Sequence, residues 1–190
     1  TAQAGTVPYM LMADLGAEVV KIELPEVGDN SRTSGQVDGY PSSYFKTNNR
    51  GVKGLTLNLK DPRGKEIFYK LVAQADVFSQ NFRPGAAEKN GFGYEVLKKV
   101  KPKALCLNLG IWPDGPRAPL PGTNAVGQAL SGVAEAYSSP GQPLRTGIVS
   151  VADESCAILT FGGILAAVIS AQKPAEVKRS KPLCWVRRCE

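Results

Sequence analysis

Two adjacent carboxylates, Asp153 and Glu154, stand just before an apolar run from Cys156 to Ala171, in the stretch VADESCAILTFGGILAAVIS (residues 151–170). An acid at a helix start accepts hydrogen bonds from unpaired backbone N–H groups and offsets the positive end of the helix dipole. The same placement can present a carboxylate as a nucleophile to a carbonyl, with first-turn N–H groups near the developing oxyanion. The residue types alone allow either a cap or a nucleophile. Composition closes other routes. The chain has no His, so a Ser-His-Asp triad or a Cys–His pair cannot be built within it. There is no GxGxxG, P-loop or nucleophile elbow, and the nearest pattern, GFG at 91–93, lacks the spacing and the preceding strand. The four cysteines, Cys106, Cys156, Cys184 and Cys189, fit no metal-ligand spacing, so no metal is expected. They read as reduced thiols of a cytoplasmic protein.

The elements that must position the acids follow from local pattern. PYMLMADLG (8–16) reads as a short helix stopped by Gly16, and AEVVKIEL (17–24) as a strand. A polar loop over 25–52 carries three turn-rich clusters, and a loop of that length in a compact domain points to function. LTLNL (55–59) is the next strand. DPRGKEIFYKLVAQA (61–75) is a helix with Asp61 as N-cap, Pro62 at the first position and apolar residues at 67, 68, 71 and 72. DVFSQN (76–81) and ALCLNLG (104–110) are strands, with a helix over 94–100 between them. A Gly/Pro loop, WPDGPRAPLPG, precedes a helix around 123–137 and the apolar helix from about 153. Strands that are apolar runs alternating with helices predict an open parallel α/β sheet, Rossmann-like, covered by helices on both faces. Ligands of such sheets bind at the loops after the strand C-termini.

The chain is 190 residues and 43% hydrophobic, enough for one soluble domain with a sizeable core. No charged-then-apolar leader pattern follows Thr1, which places the protein in the cytoplasm, or in the mitochondrial matrix of a eukaryote. The run Cys156–Ala171 is short for a bilayer and opens on acids, so a buried helix and no membrane partner are expected. The net charge of +6 is dispersed, apart from five Lys/Arg and two Glu in residues 174–190. It points weakly to an anionic small ligand and gives no argument for nucleic acid.

Five phrases in order carry a family likeness: ADLGAEVVKIELPEVGD (13–29), NNRGVKGLTLNLKDPRGKEIF (48–68), ADVFSQNFRPGAAEKNGFGYEVL (75–97), QALSGV (128–133) and PLRTGIVSVAD (143–153). Together they resemble the class III CoA-transferase family over about Gln3 to Lys173. The resemblance implies a large CoA-binding domain, a second smaller domain, an interlocked homodimer and no permanently bound cofactor. CoA enters as substrate and passes from an acyl-CoA to a small carboxylic acid through an aspartyl anhydride and an aspartyl-CoA thioester. The family's nucleophilic Asp, a few residues after the RxG phrase, falls on Asp153, and Glu154 reads as an ordinary first-turn acid. The family's CoA contacts fall on Gln3, Leu57, Lys60, Asn81, Phe82, Arg83 and Lys89. Apolar Leu57 and Phe82 suit the adenine or the thiol arm, and the basic residues suit the phosphates.

The sequence also departs from the family. Leu24 stands where a basic residue often follows KIE, with Arg32 nearby. Thr123 and Asn124 stand where the related racemases carry a His–Asp pair, and neither can exchange a proton near neutral pH, so transfer is expected rather than racemisation. Residues 1–173 therefore read as part of the CoA-transferase large domain, roughly the first half of a longer enzyme and inactive or nearly so alone. A non-catalytic CoA-binding remnant is the alternative. Residues 174–190 read as an aberrant tail, disordered or weakly packed, because suitable codons shifted by one base encode TGGGQKVEASLLGAQMR, close to the family's next phrase.

Overall fold

The architecture, taken from a computed structural model, is described for residues 3–35, 37, 40, 42–102, 105–108, 116, 120, 122–146, 149–172 and 186–188, with the backbone alone at 105–108 and 186–188. Parallel pairing needs a crossover between strands, and the chain makes two. Strand β1 (Val20–Glu23) pairs in parallel with β2 (Lys53–Thr56), Val20 opposite Lys53 and Glu23 opposite Thr56. Strand β3 (Val77–Gln80) pairs in parallel with β4 (Leu105–Asn108), Val77 opposite Leu105. Among the described residues these form two small sheets rather than the single open sheet expected. The parallel α/β class is as predicted. Three residues of the tail, Val186–Arg188, form β5, antiparallel to β4, so this part of the tail is paired, whereas 173–185, 189 and 190 lie outside the described residues. Most of the WPDGPRAPLPG loop does too.

Helix α1 (Val7–Asp14) precedes β1 and ends before Gly16, whose φ is 93°. The long loop contains a 3-10 turn, Asn30–Arg32, and α2 (Ser43–Asn48), a helix the sequence pattern did not reveal. Helix α3 (Pro62–Gln74) joins β2 to β3, and Asp61 caps it as expected by accepting from the Arg63 N–H at 2.9 Å. Helices α4 (Ala86–Asn90) and α5 (Tyr94–Val100) make the second crossover. The helix expected over 123–137 is two, α6 (Asn124–Leu130) and α7 (Val133–Ala136), broken at Gly132 with φ 79°. Helix α8 runs Val151–Gln172.

Helix α3 organises the main core. Its buried face, Gly64, Phe68 and Val72, repeats every fourth residue, the spacing of one helical stripe. Ile67, expected inside, is 45% exposed. Phe68 meets Phe92 at 4.8 Å and Phe78 at 5.5 Å between ring centroids, both edge-on, and Ala87 and Leu97 close the cluster. Ile22 of β1 and Phe78 of β3 pack on the same cluster, so α3 ties the two sheets together.

A second, smaller core holds Val7 and Met10 of α1 against Ala157 of α8. The buried residues of α8 are Ala157, Thr160 and Ile164, a single stripe, while Ile158, Leu159 and Ile169 are more than half exposed. This corrects the expectation of a buried helix: α8 is 22 residues long and mostly uncovered in this chain. It is long and apolar enough to cross a membrane by length and composition.

A charged network pins the loop after β1. Lys21 Nζ donates to Asp29 and, at 2.7 Å, to Asn49 Oδ1. Arg32 grips Glu23 through two N–H groups at 2.8 and 3.0 Å, and its guanidinium lies 4.0 Å from the Phe45 ring centre. Gly28 (φ 66°) fits where a Cβ would come within 3.0 Å of Arg32 and Glu23. Burial alone would raise the Asp29 carboxyl. The Lys21 ammonium and the N–H and O–H of Ser31 outweigh it and hold Asp29 down at about 2.

Two outcomes follow for stability. A Cβ on Gly64 would lie 2.1 Å from the Asn58 carbonyl oxygen, whereas one on Gly54 would meet nothing within 4 Å. Gly64→Ala is expected to cost ~1–3 kcal/mol or more in urea unfolding, because backbone must move, and Gly54→Ala less than about 0.5 kcal/mol. Because the folded Asp29 pKa is depressed, its contribution is present above the ordinary Asp pKa and is lost as pH falls toward about 2. Acid unfolding followed by circular dichroism should therefore be shallower over that window in Asp29→Asn, which starts from a lower stability at neutral pH.

Candidate active site at the start of helix α8

The first turn of an α-helix leaves backbone N–H groups without intrahelical partners. In α8 each has one. Val151 N–H donates to the Val149 carbonyl at 2.9 Å, and Glu154 N–H to the Ser150 carbonyl at 2.8 Å. The N–H groups of Ala152 and Asp153 both donate to Asn124 Oδ1, at 3.1 and 3.3 Å. Asn124 is the first residue of α6, itself capped by Thr123. Two further contacts lock α6 to this turn. Gln128 Nε2 donates to the Val149 carbonyl, and Gly127 lies so close to Ala152 that a Cβ there would be 2.8 Å from the Ala152 Cβ. The expectation that the first-turn N–H groups stand free for an anion or oxyanion is thus corrected: the Asn124 side chain occupies two of them.

Asp153 lies one turn before Ala157, on the stripe of α8 that faces the protein, and is half-buried. The helix start was expected to favour its anion. Burial instead pushes its carboxyl up from the ordinary value. Glu154 is more than a first-turn acid, because its Oε1 accepts from Gln3 Nε2 at 2.7 Å. That bond draws the N-terminal turn onto the start of α8. Tyr44 of α2 completes the group: burial raises its phenol first, and the carboxylates of Asp153 and Glu154 raise it further. Sequence reasoning missed Tyr44, which sat within the polar loop. The signal available was Ser42, whose Oγ accepts from the Phe45 N–H at 3.1 Å and caps α2. On the other side, Tyr9 of α1 hydrogen-bonds Ser79 of β3, and burial pushes its phenol up to about 12, with the Cys156 side chain also raising it. Cys156 forms no disulfide among the described residues; the side chains of the other cysteines lie outside them.

The remaining candidates gather at the C-terminal ends of β2 and β3. Leu57 is partly buried against the Phe68 cluster, and Lys60 is exposed in the turn before α3. Asn81, Phe82 and Arg83 are exposed after β3, with the Phe82 ring 6.4 Å from Phe92 and its N–H donating to Gln80 Oε1 at 2.6 Å. Lys89 is exposed in the last turn of α4. Gln3 stands apart from these at the α8 turn, on Glu154. Tyr9 spans the interval, since it packs between α8 and the strand that leads to Asn81. Arg32 is committed to Glu23 beside a cavity of about 110 Å³ that Lys21 and Phe45 also line, and Leu24 is exposed.

The family model described as CoA-transferase family III matches residues 1–177. The chain belongs to CoA-transferase family III. It is 39% identical over 165 residues to an acetyl-CoA:oxalate CoA-transferase of Acetobacter aceti, covering 86% of this chain and 42% of that protein. It is 36% identical to the human succinyl-CoA:glutarate CoA-transferase, over 90% of this chain and 39% of that one. Among solved structures, a CAIB/BAIF family protein from Brucella suis matches with a TM-score of 0.80 and 33% identity, over 87% of this chain and 45% of that chain. A Mycobacterium tuberculosis protein matches with a TM-score of 0.81 and 29% identity, over 90% and 46% of the two chains. The family III chain thus spans about two fifths of the length of the curated relatives it matches. The family match runs four residues past Lys173, where the phrase-by-phrase likeness ended.

In this family III chain the raised Asp153 pKa has a stability consequence. A folded-state pKa above the unfolded value stabilises the fold at low pH, and that contribution is lost as pH rises through the folded pKa. At neutral pH the ionised, half-buried carboxylate therefore opposes folding. Asp153→Asn is expected to raise Tm at pH 7 and to leave it nearly unchanged at pH 3.5, read by thermal melts at both pH values. A lower Tm at pH 7 would show that Asp153 is held by a favourable contact instead.

Proposed function

We propose that this chain is the CoA-binding part of a transferase that moves CoA from an acyl-CoA to a small carboxylic acid, with Asp153 as the nucleophile. The observation that carries the reading is the placement of Asp153, within a family III chain, on the inward stripe at the start of α8 beside Gln3 and Tyr44. A carboxylate partly withdrawn from water is a better nucleophile than a solvated one.

In the proposed sequence an Asp153 oxygen attacks the thioester carbonyl. A C–O bond forms, the C–S bond breaks, and CoA leaves as thiolate. The thiolate attacks the aspartyl carbonyl of the mixed anhydride, releasing the donor carboxylate and leaving an aspartyl-CoA thioester. The acceptor carboxylate then attacks that thioester, expels the thiolate again and forms a second anhydride. Thiolate attack on the acceptor's acyl carbon gives the product acyl-CoA and restores Asp153. No proton or oxidant is consumed. Two of the relatives are named for oxalate and glutarate, which supports a short dicarboxylic acid as acceptor.

We assign the CoA nucleotide and pantetheine to Leu57, Lys60, Asn81, Phe82, Arg83 and Lys89, because exposed cations and apolar side chains at strand ends suit phosphates and adenine. Gln3, tied to Glu154, suits the reacting thioester end. We place the protein in the cytoplasm or mitochondrial matrix, as a homodimer in which a partner covers the exposed side of α8. Racemisation is disfavoured, because Asn124 occupies the place of a base and its oxygen is engaged by two N–H groups.

The test reads the first covalent step alone, not turnover, for which the chain by itself is expected to be inactive: mass spectrometry after incubation with acetyl-CoA or succinyl-CoA. The expected result is a hydroxylamine-labile acyl or CoA adduct on the peptide spanning 146–173, at Asp153, absent from Asp153→Asn. An adduct that survives this substitution would remove Asp153 from the role.

A further inference from the structure

The start of α8 is held by three separate devices from one short helix: the Asn124 oxygen on two N–H groups, the Gln128 amide on the Val149 carbonyl, and the Gly127–Ala152 approach. Ser150, immediately before the helix, is of a type that could supply an ordinary cap. Asn124 reaches across from α6 instead, 29 residues away in sequence from Asp153. Its oxygen takes the two N–H groups best placed to bind a carboxylate in the first turn.

No donor is bonded to the Asp153 carboxylate among the described residues. Its neighbours include the two acids Glu154 and Tyr44, from α8 and α2. Cys156 lies one turn further along α8, towards Tyr9 of α1. Helix α6 brings no titratable group. A carboxylate that accepts two backbone N–H bonds is a weak base and a weak nucleophile, because those bonds must be given up as it attacks.

We propose that Asn124 is a positioning residue for Asp153: by occupying the Ala152 and Asp153 N–H groups, it keeps the carboxylate free of its own helix start and directed to the side shared with Gln3 and Tyr44. The inference rests on Asp153 being the nucleophile. Its geometric part, the control of Asp153 by Asn124, stands or falls separately. A raised Asp153 pKa accords with this arrangement, since burial then acts without an offsetting hydrogen bond.

The experiment is a carboxyl ¹³C NMR titration of the 190-residue chain labelled at Asp, with the Asp153 signal assigned by its loss in Asp153→Asn. In Asn124→Ala the freed N–H groups become available to the carboxylate, and the Asp153 midpoint is expected to fall. In Asn124→Asp, which keeps the shape and the acceptor and adds a negative charge, the midpoint is expected to rise. The buried Asp29 signal should stay in place in both. A residue that merely caps α8 would lower stability in Asn124→Ala while leaving the Asp153 midpoint where it was, and that result overturns the proposal. If Asn124→Ala does not fold, Asn124→Asp decides alone: an unmoved midpoint there overturns it. The adduct experiment on Asp153 is independent. A shifted midpoint without any adduct would retire the nucleophile and keep the positioning contact.

Discussion

Two N–H groups at the start of α8 need a partner, and much of the site's geometry follows from which partner they have. Left unpaired in a half-buried turn they would cost a few kcal/mol. Water or a substrate could satisfy them, but the chain uses Asn124. That choice places α6 across the helix start, requires a residue without Cβ at 127, and sets the height of α6 through Gln128. It also fixes what Asp153 can do. A carboxylate deprived of its helix's own donors answers to burial instead, and its affinity for a proton goes up rather than down.

The same economy governs the far side of the site. Lys21, Glu23, Asp29 and Arg32 are charges drawn partly out of water, and each has an opposite charge in contact. Buried pairs of this kind contribute little net stability, because desolvation offsets attraction. What they do supply is position. Phe45 lies under the Arg32 guanidinium and Lys21 bonds Asn49, so both ends of the α2 region are fastened to β1. Tyr44 is thereby carried to the carboxylates of α8. The network holds a loop in place, and its cations are not free to bind phosphate.

The sequence was readable wherever a local rule had no competitor. Asp61 and Pro62 announced α3, Gly16 the end of α1, and the β-branched runs the four parallel strands. The position of Asp153 at a helix start was also legible. Three things were not, two for local reasons and one because a tertiary contact decided it. Helix α2 is six residues inside a polar stretch, too short for periodicity to register, and only its Ser42 cap marked it. The helix over 123–137 breaks at Gly132, which adopts a left-handed conformation that the continuous apolar pattern did not announce. The role of Asn124 depends on an acceptor reaching a helix distant in sequence, which no spacing rule encodes. Reading the Asp153 electrostatics from the helix dipole alone therefore gave the wrong sign.

Helix α8 carries two surfaces with different requirements. One stripe, from Asp153 through Ala157 and Thr160 to Ile164, faces the protein, with Ala157 packed against Val7 and Met10 of α1 and the Asp153 carboxyl at its N-terminal end. The opposite side shows Ile158, Leu159 and Ile169 to solvent in a chain about two fifths as long as its relatives. An apolar side of that extent is costly to leave wet. The contacts at the start of the helix do not involve that side. The turn around Asp153 is closed by Asn124, Gln128, Gln3 and Val149, all within this chain. Covering the far side would stabilise the helix along its length. The N–H groups of its first turn are already satisfied by contacts within this chain.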